Sequence, residues 1–452
     1  MFKTTKRIVQ LAVTAAALFS VAAVDADTLI SPDDTRINYY GRFDLSTPTM
    51  AVFAWPGCAF EANLPGPLIG MRLADGRGDY DVEIDGVLDT VVITDAVRDI
   101  IFGTAFTDEL HRVRVTLRNE HHYNTASFRG FILADGKEPG PAPAMPSRKI
   151  EFIGDSYTAG YGIEGTDDSC SEEQLRNTTN VDKSFATLVT KAFHAQSFIL
   201  GWSGAGMVRN YGEKTQRGQT PYPSRYNRTL SSASGLKWTF SNWTADLVVI
   251  CLGTNDYSTE PVPDDSMFIG DYHKLIATIT GNYPDAAVVC VGTHDTLLRS
   301  KVATVVAEEQ TQLSHPQVFG AQFPDSLALT ACDFHPSITD NQAIAAVLVD
   351  IIMKRLGWDT TATGVRPGAW GMRTPAKQGL TITCQGKLLK ISTALPVGSS
   401  DNILLVTPSG VMARAAGVNL SGQCFISTDR LSAGLYLAGN RSVGWKPVTV
   451  RD

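Results

Sequence analysis

Short apolar runs separated by polar and glycine breaks fill the first third of the chain. Segments 50–55, 80–84, 91–93, 111–117 and 128–133 are strand-like, and turn signals such as Ala74-Asp75-Gly76-Arg77-Gly78 and Ile84-Asp85-Gly86 divide them. Such spacing predicts antiparallel strands, so residues 27–140 read as a β-sandwich. From 147 to 358 the pattern changes. Mostly apolar runs at 150–153, 197–200, 245–251 and 286–291 suit buried parallel strands, while 183–194, 271–283 and 341–356 suit helices. That alternation predicts a three-layer α/β/α domain around a mainly parallel sheet.

Two breaks divide the chain further. Residues 136–143 are rich in Gly and Pro and predict a stiff, extended connection. Residues 359–378 are rich in Gly, Pro and Thr and read as a second linker. Beyond it, 379–452 returns to short strand-like runs at 380–384, 388–391, 403–406, 434–437 and 448–450, which suit a small β-sandwich. At the other end, Lys3, Lys6 and Arg7 precede a mostly apolar stretch and the small residues of Val24-Asp25-Ala26. Residues 1–26 therefore read as a cleaved export signal, with an uncleaved anchor as the alternative.

Composition narrows the function classes. A chain of 452 residues suggests two or three domains, and 43% hydrophobic with 19% charged residues is globular. The net charge is −7, with no basic tract beyond the N-terminus, which argues against nucleic acid as a partner. Of the seven cysteines, Cys251 and Cys290 fall in predicted buried strands, and Cys384 with Cys424 is the first bridge to expect. No cysteine–histidine spacing suits a metal, and no cofactor motif is present. His121-His122 reads as solvated surface.

The candidate chemistry sits where strands end. Ile150-Glu151-Phe152-Ile153-Gly154-Asp155-Ser156 runs a strand into a turn that can expose a serine hydroxyl. Gly201-Trp202-Ser203-Gly204-Ala205-Gly206 follows the second strand, Leu252-Gly253-Thr254-Asn255-Asp256 the third, and Cys332-Asp333-Phe334-His335-Pro336-Ser337 comes late. Open α/β sheets carry their sites at such carboxyl ends.

This order resembles the GDSL/SGNH hydrolases and, within them, carbohydrate esterase family 2. Gly160-Tyr161-Gly162, Arg209-Asn210-Tyr211-Gly212, Tyr40-Gly41-Arg42-Phe43-Asp44 and Phe128-Arg129-Gly130-Phe131 extend the match over about 35–356. The resemblance implies a jelly-roll sandwich before the hydrolase domain. It also implies a secreted serine esterase that removes acetyl groups from plant polysaccharides such as xylan. Ser156 would be the nucleophile and His335 the general base. The Ser156 and Gly204 amides and the Asn255 side chain would hold the oxyanion. Typical SGNH enzymes carry an aspartate three residues before the histidine, but here that position is Cys332. Asp333 is the favoured third member, with a backbone carbonyl as the alternative. Tyr161, Trp202, Tyr257 and Phe334 are candidates to stack on a sugar, and Arg209 and Asn210 to support the glycine loop. Asp155 and Asp256 read as loop supports. A lipase or thioesterase on the same fold, and a glycan-binding protein with a secondary esterase activity, are the competing readings. The polar segment 211–231 speaks against a lipase lid. The C-terminal segment weakly resembles bacterial sorting modules, with a carbohydrate-binding module or spacer as alternatives. The expected partner is an acetylated polysaccharide, and the expected state is a monomer outside the cell.

Overall fold

The computed structural model describes residues 27–360, apart from 76–77, 94–95, 123 and 233–234, together with strands between 381 and 450. The export signal and almost all of the second linker lie outside the described residues. So do the side chains of the C-terminal segment, and with them the Cys384–Cys424 bridge and the sorting role.

The N-terminal region forms β1 (Thr28–Ile30), β2 (Asn38–Tyr40), β3 (Asp44–Thr47), β4 (Met50–Phe53), β5 (Ala59–Pro65), β6 (Ile69–Ala74), β7 (Asp79–Ile84), β8 (Val87–Ile93), β9 (Val97–Gly103), β10 (Leu110–Leu117) and β11 (Ala126–Leu133). They make two antiparallel sheets, ordered β3-β4-β11-β6-β9 with β1 on β11, and β2-β5-β10-β7-β8. The inner faces meet as a sandwich. Phe60 of one sheet stacks on Phe128 of the other with ring centroids 3.9 Å apart. Alternation drives this packing: Val113, Val115 and Leu117 are fully buried, while the residues between them face outward.

The second domain is built on β12 (Arg148–Gly154), β13 (Ala195–Gly201), β14 (Leu247–Cys251), β15 (Ala287–Gly292) and β16 (Val318–Gln322), in the order β13-β12-β14-β15-β16. Every pairing in it is parallel. Its helices are α1 (Ser156–Ala159), α2 (Glu172–Thr178), α3 (Phe185–Ala192), α4 (Thr254–Tyr257), α5 (Asp265–Asn282), α6 (Thr296–Thr311) and α7 (Ile338–Leu356). Leu247 and Val249 pack with Phe185 of α3 and Ile344 of α7, while Val248 and Ile250 pack with Phe268 of α5 and Val302 of α6. Successive strand residues thus serve opposite helical layers, as the apolar runs predict. The sequence reading did not pick out α2, α6 or β16. In α6 the buried positions Leu298, Val302, Val305, Val306 and Glu309 are spread among Thr, Ala, Lys and Glu, so the apolar stripe is thin.

Buried polar contacts join the two domains. Arg42 and Glu151 form a fully buried ion pair at 3.1 Å. The Trp55 indole donates to Thr229 O at 3.1 Å, and Val181 N–H to Arg118 O at 2.9 Å. C-terminal strands β17 (Thr381–Gln385), β18 (Leu388–Ser392), β19 (Asn402–Val406), β20 (Met412–Gly417), β21 (Gln423–Ser427), β22 (Gly434–Asn440) and β23 (Gly444–Val450) form two antiparallel sheets, β17-β18-β21 and β20-β19-β22-β23. Among the described residues, no helix is long and apolar enough to cross a membrane.

Candidate active site

Strand register brings the first three site loops together. Gly154 pairs with Gly201 on one side and with Cys251 on the other. The loops that leave β12, β13 and β14 therefore start side by side, carrying Ser156, Gly204 and Asn255. Ser156 is the first residue of α1, and its amide lacks an intrahelical acceptor. The Asp155 carboxylate caps that turn by accepting from Tyr157 N–H at 3.0 Å.

His335 arrives from the other end of the domain, just before α7. Ser337 caps α7 and shares a reciprocal capping box with Asp340, so the chain direction at His335 is fixed by the helix that follows. His335 Nε2 lies 2.8 Å from Ser156 Oγ, within reach for proton transfer. Burial lowers the His335 pKa below its ordinary value, which leaves the ring neutral and able to accept a proton.

The third member departs from the favoured expectation. His335 Nδ1 donates to the carbonyls of Cys332 and Asp333, at 3.0 and 3.1 Å. The Asp333 carboxylate points elsewhere, accepting from Tyr161 Oη at 2.9 Å and from Cys170 N–H at 3.3 Å. Two residues of separation, with Asp333 at φ 53, turn its carbonyl rather than its carboxylate toward the ring. Cys332, at the usual aspartate position, is bonded to Cys170 with Cα atoms 5.5 Å apart. That bridge ties the histidine turn to the segment preceding α2. Sequence reasoning missed it because 162 residues separate the two cysteines. Gly162 explains part of the Gly-Tyr-Gly motif, since a Cβ there would lie 2.3 Å from Cys332 Cβ. Cys58, Cys251 and Cys290 are free and buried, the last two in the core as expected.

The glycine loop is held from beneath. The buried Asp256 carboxylate accepts from Met207, Val208 and Arg209 N–H at 2.7, 2.7 and 3.0 Å. Arg209 donates to the carbonyls of Asp256, Thr259 and Glu213. Asn210 Oδ1 accepts from Gly206 N–H at 3.3 Å. These residues support the loop, as anticipated. Burial pushes the Asp256 carboxyl up to about 6 and that of Asp155 to about 7. The Asn255 amide donates to Ala205 O at 2.8 Å and, at a long 3.4 Å, to Asp155 Oδ2. One of its hydrogens is therefore only weakly held. Among the described residues, the Gly204 N–H finds no acceptor.

The aromatic candidates divide. Phe334 is 63% exposed beside His335. Tyr161 is half-buried, its ring 4.5 Å from the His335 ring, and it lines a cavity of about 310 Å³ with Glu120, His122 and Arg176. Trp202 is not an open platform: it is 7% exposed, with His122 stacked at 4.7 Å and the Arg225 guanidinium at 4.1 Å. Tyr257 packs against Phe268 at 5.3 Å with its hydroxyl buried. An aromatic in a site loop is a signal that does not distinguish packing from stacking. The solvated reading of His121-His122 fails for His121, while the His122 side chain stays 32% exposed. His121 is 3% exposed and bonded to Asp75 at 2.9 Å, and His122 reaches Glu120 at 3.1 Å.

Comparison with known proteins finds relatives for both the N-terminal and the second domain. Residues 39–143 match the family described as Carbohydrate esterase 2 N-terminal, and 152–327 match the GDSL-like Lipase/Acylhydrolase family. The chain is 33% identical over 341 residues to Cellulase/esterase CelE of Acetivibrio thermocellus, covering 72% of this chain and 40% of that protein. It thus spans less than half of that relative's length. An acetylxylan esterase / glucomannan deacetylase of Cellvibrio japonicus is 27% identical over 337 residues, covering 73% of this chain and 91% of the relative. The solved structure of a family two carbohydrate esterase from Clostridium thermocellum in complex with cellohexaose superposes with a TM-score of 0.66. It is 31% identical, covering 71% of this chain and 99% of that one. With both halves matched in order, and a Ser–His pair at their carboxyl-end site, the chain belongs to carbohydrate esterase family 2.

Proposed function

We propose that the protein is a secreted serine esterase that removes O-acetyl groups from plant cell-wall polysaccharides, acetylated xylan first and glucomannan second. The observation that carries this reading is the 2.8 Å contact between His335 Nε2 and Ser156 Oγ at the head of the sheet. Names of relatives support the substrate class: two from Cellvibrio japonicus are acetylxylan esterases / glucomannan deacetylases.

In the proposed reaction Ser156 Oγ attacks the acetyl carbonyl while His335 Nε2 takes the hydroxyl proton. The charge on the carbonyl oxygen falls to the Ser156 and Gly204 amides, with the Asn255 amide as third donor. Losing one such donor typically costs about 2.7–4 kcal/mol of barrier. The tetrahedral adduct collapses, the sugar oxygen takes the proton from His335, and acetyl-Ser156 remains. Water then attacks the acyl carbonyl, again giving its proton to His335, and acetate leaves as Ser156 Oγ recovers that proton. Phe334 and Tyr211, each 63% exposed, offer apolar faces for sugar rings.

Acetate release from acetylated xylan and acetylated glucomannan, wild type against Ser156→Ala, tests the reading. Release by wild type and near-complete loss in the variant supports it. Equal release by both sinks Ser156 as nucleophile, and cleavage of short acyl esters without release from either polymer favours a broader acyl hydrolase. The relative solved with cellohexaose raises a second role, binding of unacetylated glucan. Inhibition of ester cleavage by cello-oligosaccharides would reveal it.

A further inference from the structure

We propose that Glu120 and His122, both contributed by the N-terminal sandwich domain, are positioning residues for the loop that presents the Gly204 amide; this rests on the esterase reading above. The Glu120 carboxylate accepts from Ser203 N–H at 2.9 Å, one residue before Gly204. Its side chain is 9% exposed, and its counter-charge is His122, whose Nε2 lies 3.1 Å away. His122 stacks on Trp202, the residue before Ser203. Arg225 lies over the same indole.

The loop thus has two anchors from different domains. At its far end Asp256 of the catalytic domain holds the amides of Met207, Val208 and Arg209. At its near end the side-chain acceptor is Glu120, across the domain boundary. A buried carboxylate is a costly way to hold one amide unless it is itself paired, and His122 supplies the pairing. Burial pushes the Glu120 carboxyl up, but His122 and Ser203 outweigh it and hold it below its ordinary value. Glu120 in turn raises the His122 pKa against the opposing effects of burial and Arg225. Glu120 lines the same cavity as Tyr161, whose ring lies 4.5 Å from that of His335, so the clamp borders the reacting centre. An oxyanion donor works only if it is held in place before charge develops.

The experiment is steady-state hydrolysis of p-nitrophenyl acetate by the full chain as wild type, Glu120→Ala, Glu120→Gln and His122→Leu, with thermal melting as the fold control. A misplaced donor loses rate rather than binding, so Glu120→Ala is expected to lower kcat about 10- to 100-fold with KM nearly unchanged. Glu120→Gln keeps an oxygen for the Ser203 amide and is expected to recover much of that loss. A folded Glu120→Ala with kcat within about twofold of wild type overturns the proposal, as does a loss shared equally by kcat and KM that Gln does not rescue. Where Glu120→Ala does not fold, His122→Leu decides: about tenfold lower kcat at unchanged KM supports the clamp, and an unchanged kcat overturns it. A wild type that neither turns over the ester nor reacts with a serine-directed fluorophosphonate would instead sink the esterase reading itself.

Discussion

Ser156 and His335 meet at 2.8 Å, yet the two sides of that contact are built differently. On the serine side, β12 is flanked by β13 and β14, and the register of Gly154 fixes where each loop begins. Ser156 inherits its position from the sheet. On the histidine side a three-residue turn, Cys332–Phe334, does the work, with Asp333 and Phe334 both at positive φ. Such a conformation is costly for residues other than glycine and persists only when its surroundings impose it. Here they are the Cys170–Cys332 bridge, the Tyr161–Asp333 hydrogen bond and the Ser337 cap of α7. Ser156 is thus set by secondary structure, whereas His335 is set by cross-links, and the His335 side should be the easier one to loosen.

The largest effect should come from removing the base outright. His335→Ala is expected to lower kcat/KM on acetylated xylan about 10⁴-fold or more, as does Ser156→Ala, because the two act as one unit. The double variant should be little worse than either single one; additive losses, measured by acetate release, would break the pairing.

Loosening the histidine turn comes next. Cys170→Ser, or reduction of the native protein, is expected to lower kcat about tenfold by letting the imidazole drift. Stability should fall by about 2–5 kcal/mol, read from denaturant unfolding. Ester hydrolysis that is indifferent to dithiothreitol while the bridge is shown to be open would remove the cross-link from the account.

The pH dependence sharpens the same contrast. The proposed base works as a neutral imidazole, so activity is expected to rise with pH as His335 loses its proton. Burial lowers its pKa, placing the midpoint of the acid limb below about 6.5. The Asp333 charge opposes that shift, so Asp333→Asn should move the limb to still lower pH. A kcat/KM profile with its midpoint above 6.5 would contradict the buried, neutral base.

Much of this was legible in the residues. The apolar runs before Ser156 and Asn255 are continuous because both faces of the sheet are covered, and such runs announce central parallel strands. The order of the four loops placed Ser156, Gly204, Asn255 and His335 at one end of the sheet, since parallel strands share a carboxyl edge. The partner of Cys170 was not legible, and the carbonyl acceptor of His335 Nδ1 was legible only as the alternative to Asp333. A disulfide across 162 residues and a carbonyl turned by a left-handed residue are set by the tertiary fold. Trp202 shows the same limit: its faces are taken by His122 and Arg225, neither of which is near it in sequence.

Backbone carbonyls orient His335, and among the described residues no carboxylate reaches Nδ1. The most direct test is kcat/KM of Asp333→Asn with p-nitrophenyl acetate, alongside wild type and at a pH above the acid limb. In a triad that relies on the aspartate carboxylate, the same change costs about 10⁴-fold in kcat. With carbonyls on Nδ1 the expected loss is within about tenfold, arising only from the slackened Tyr161 and Cys170 contacts. A loss near 10⁴-fold in a folded, disulfide-bonded variant would contradict it and restore Asp333 as the third member of the site.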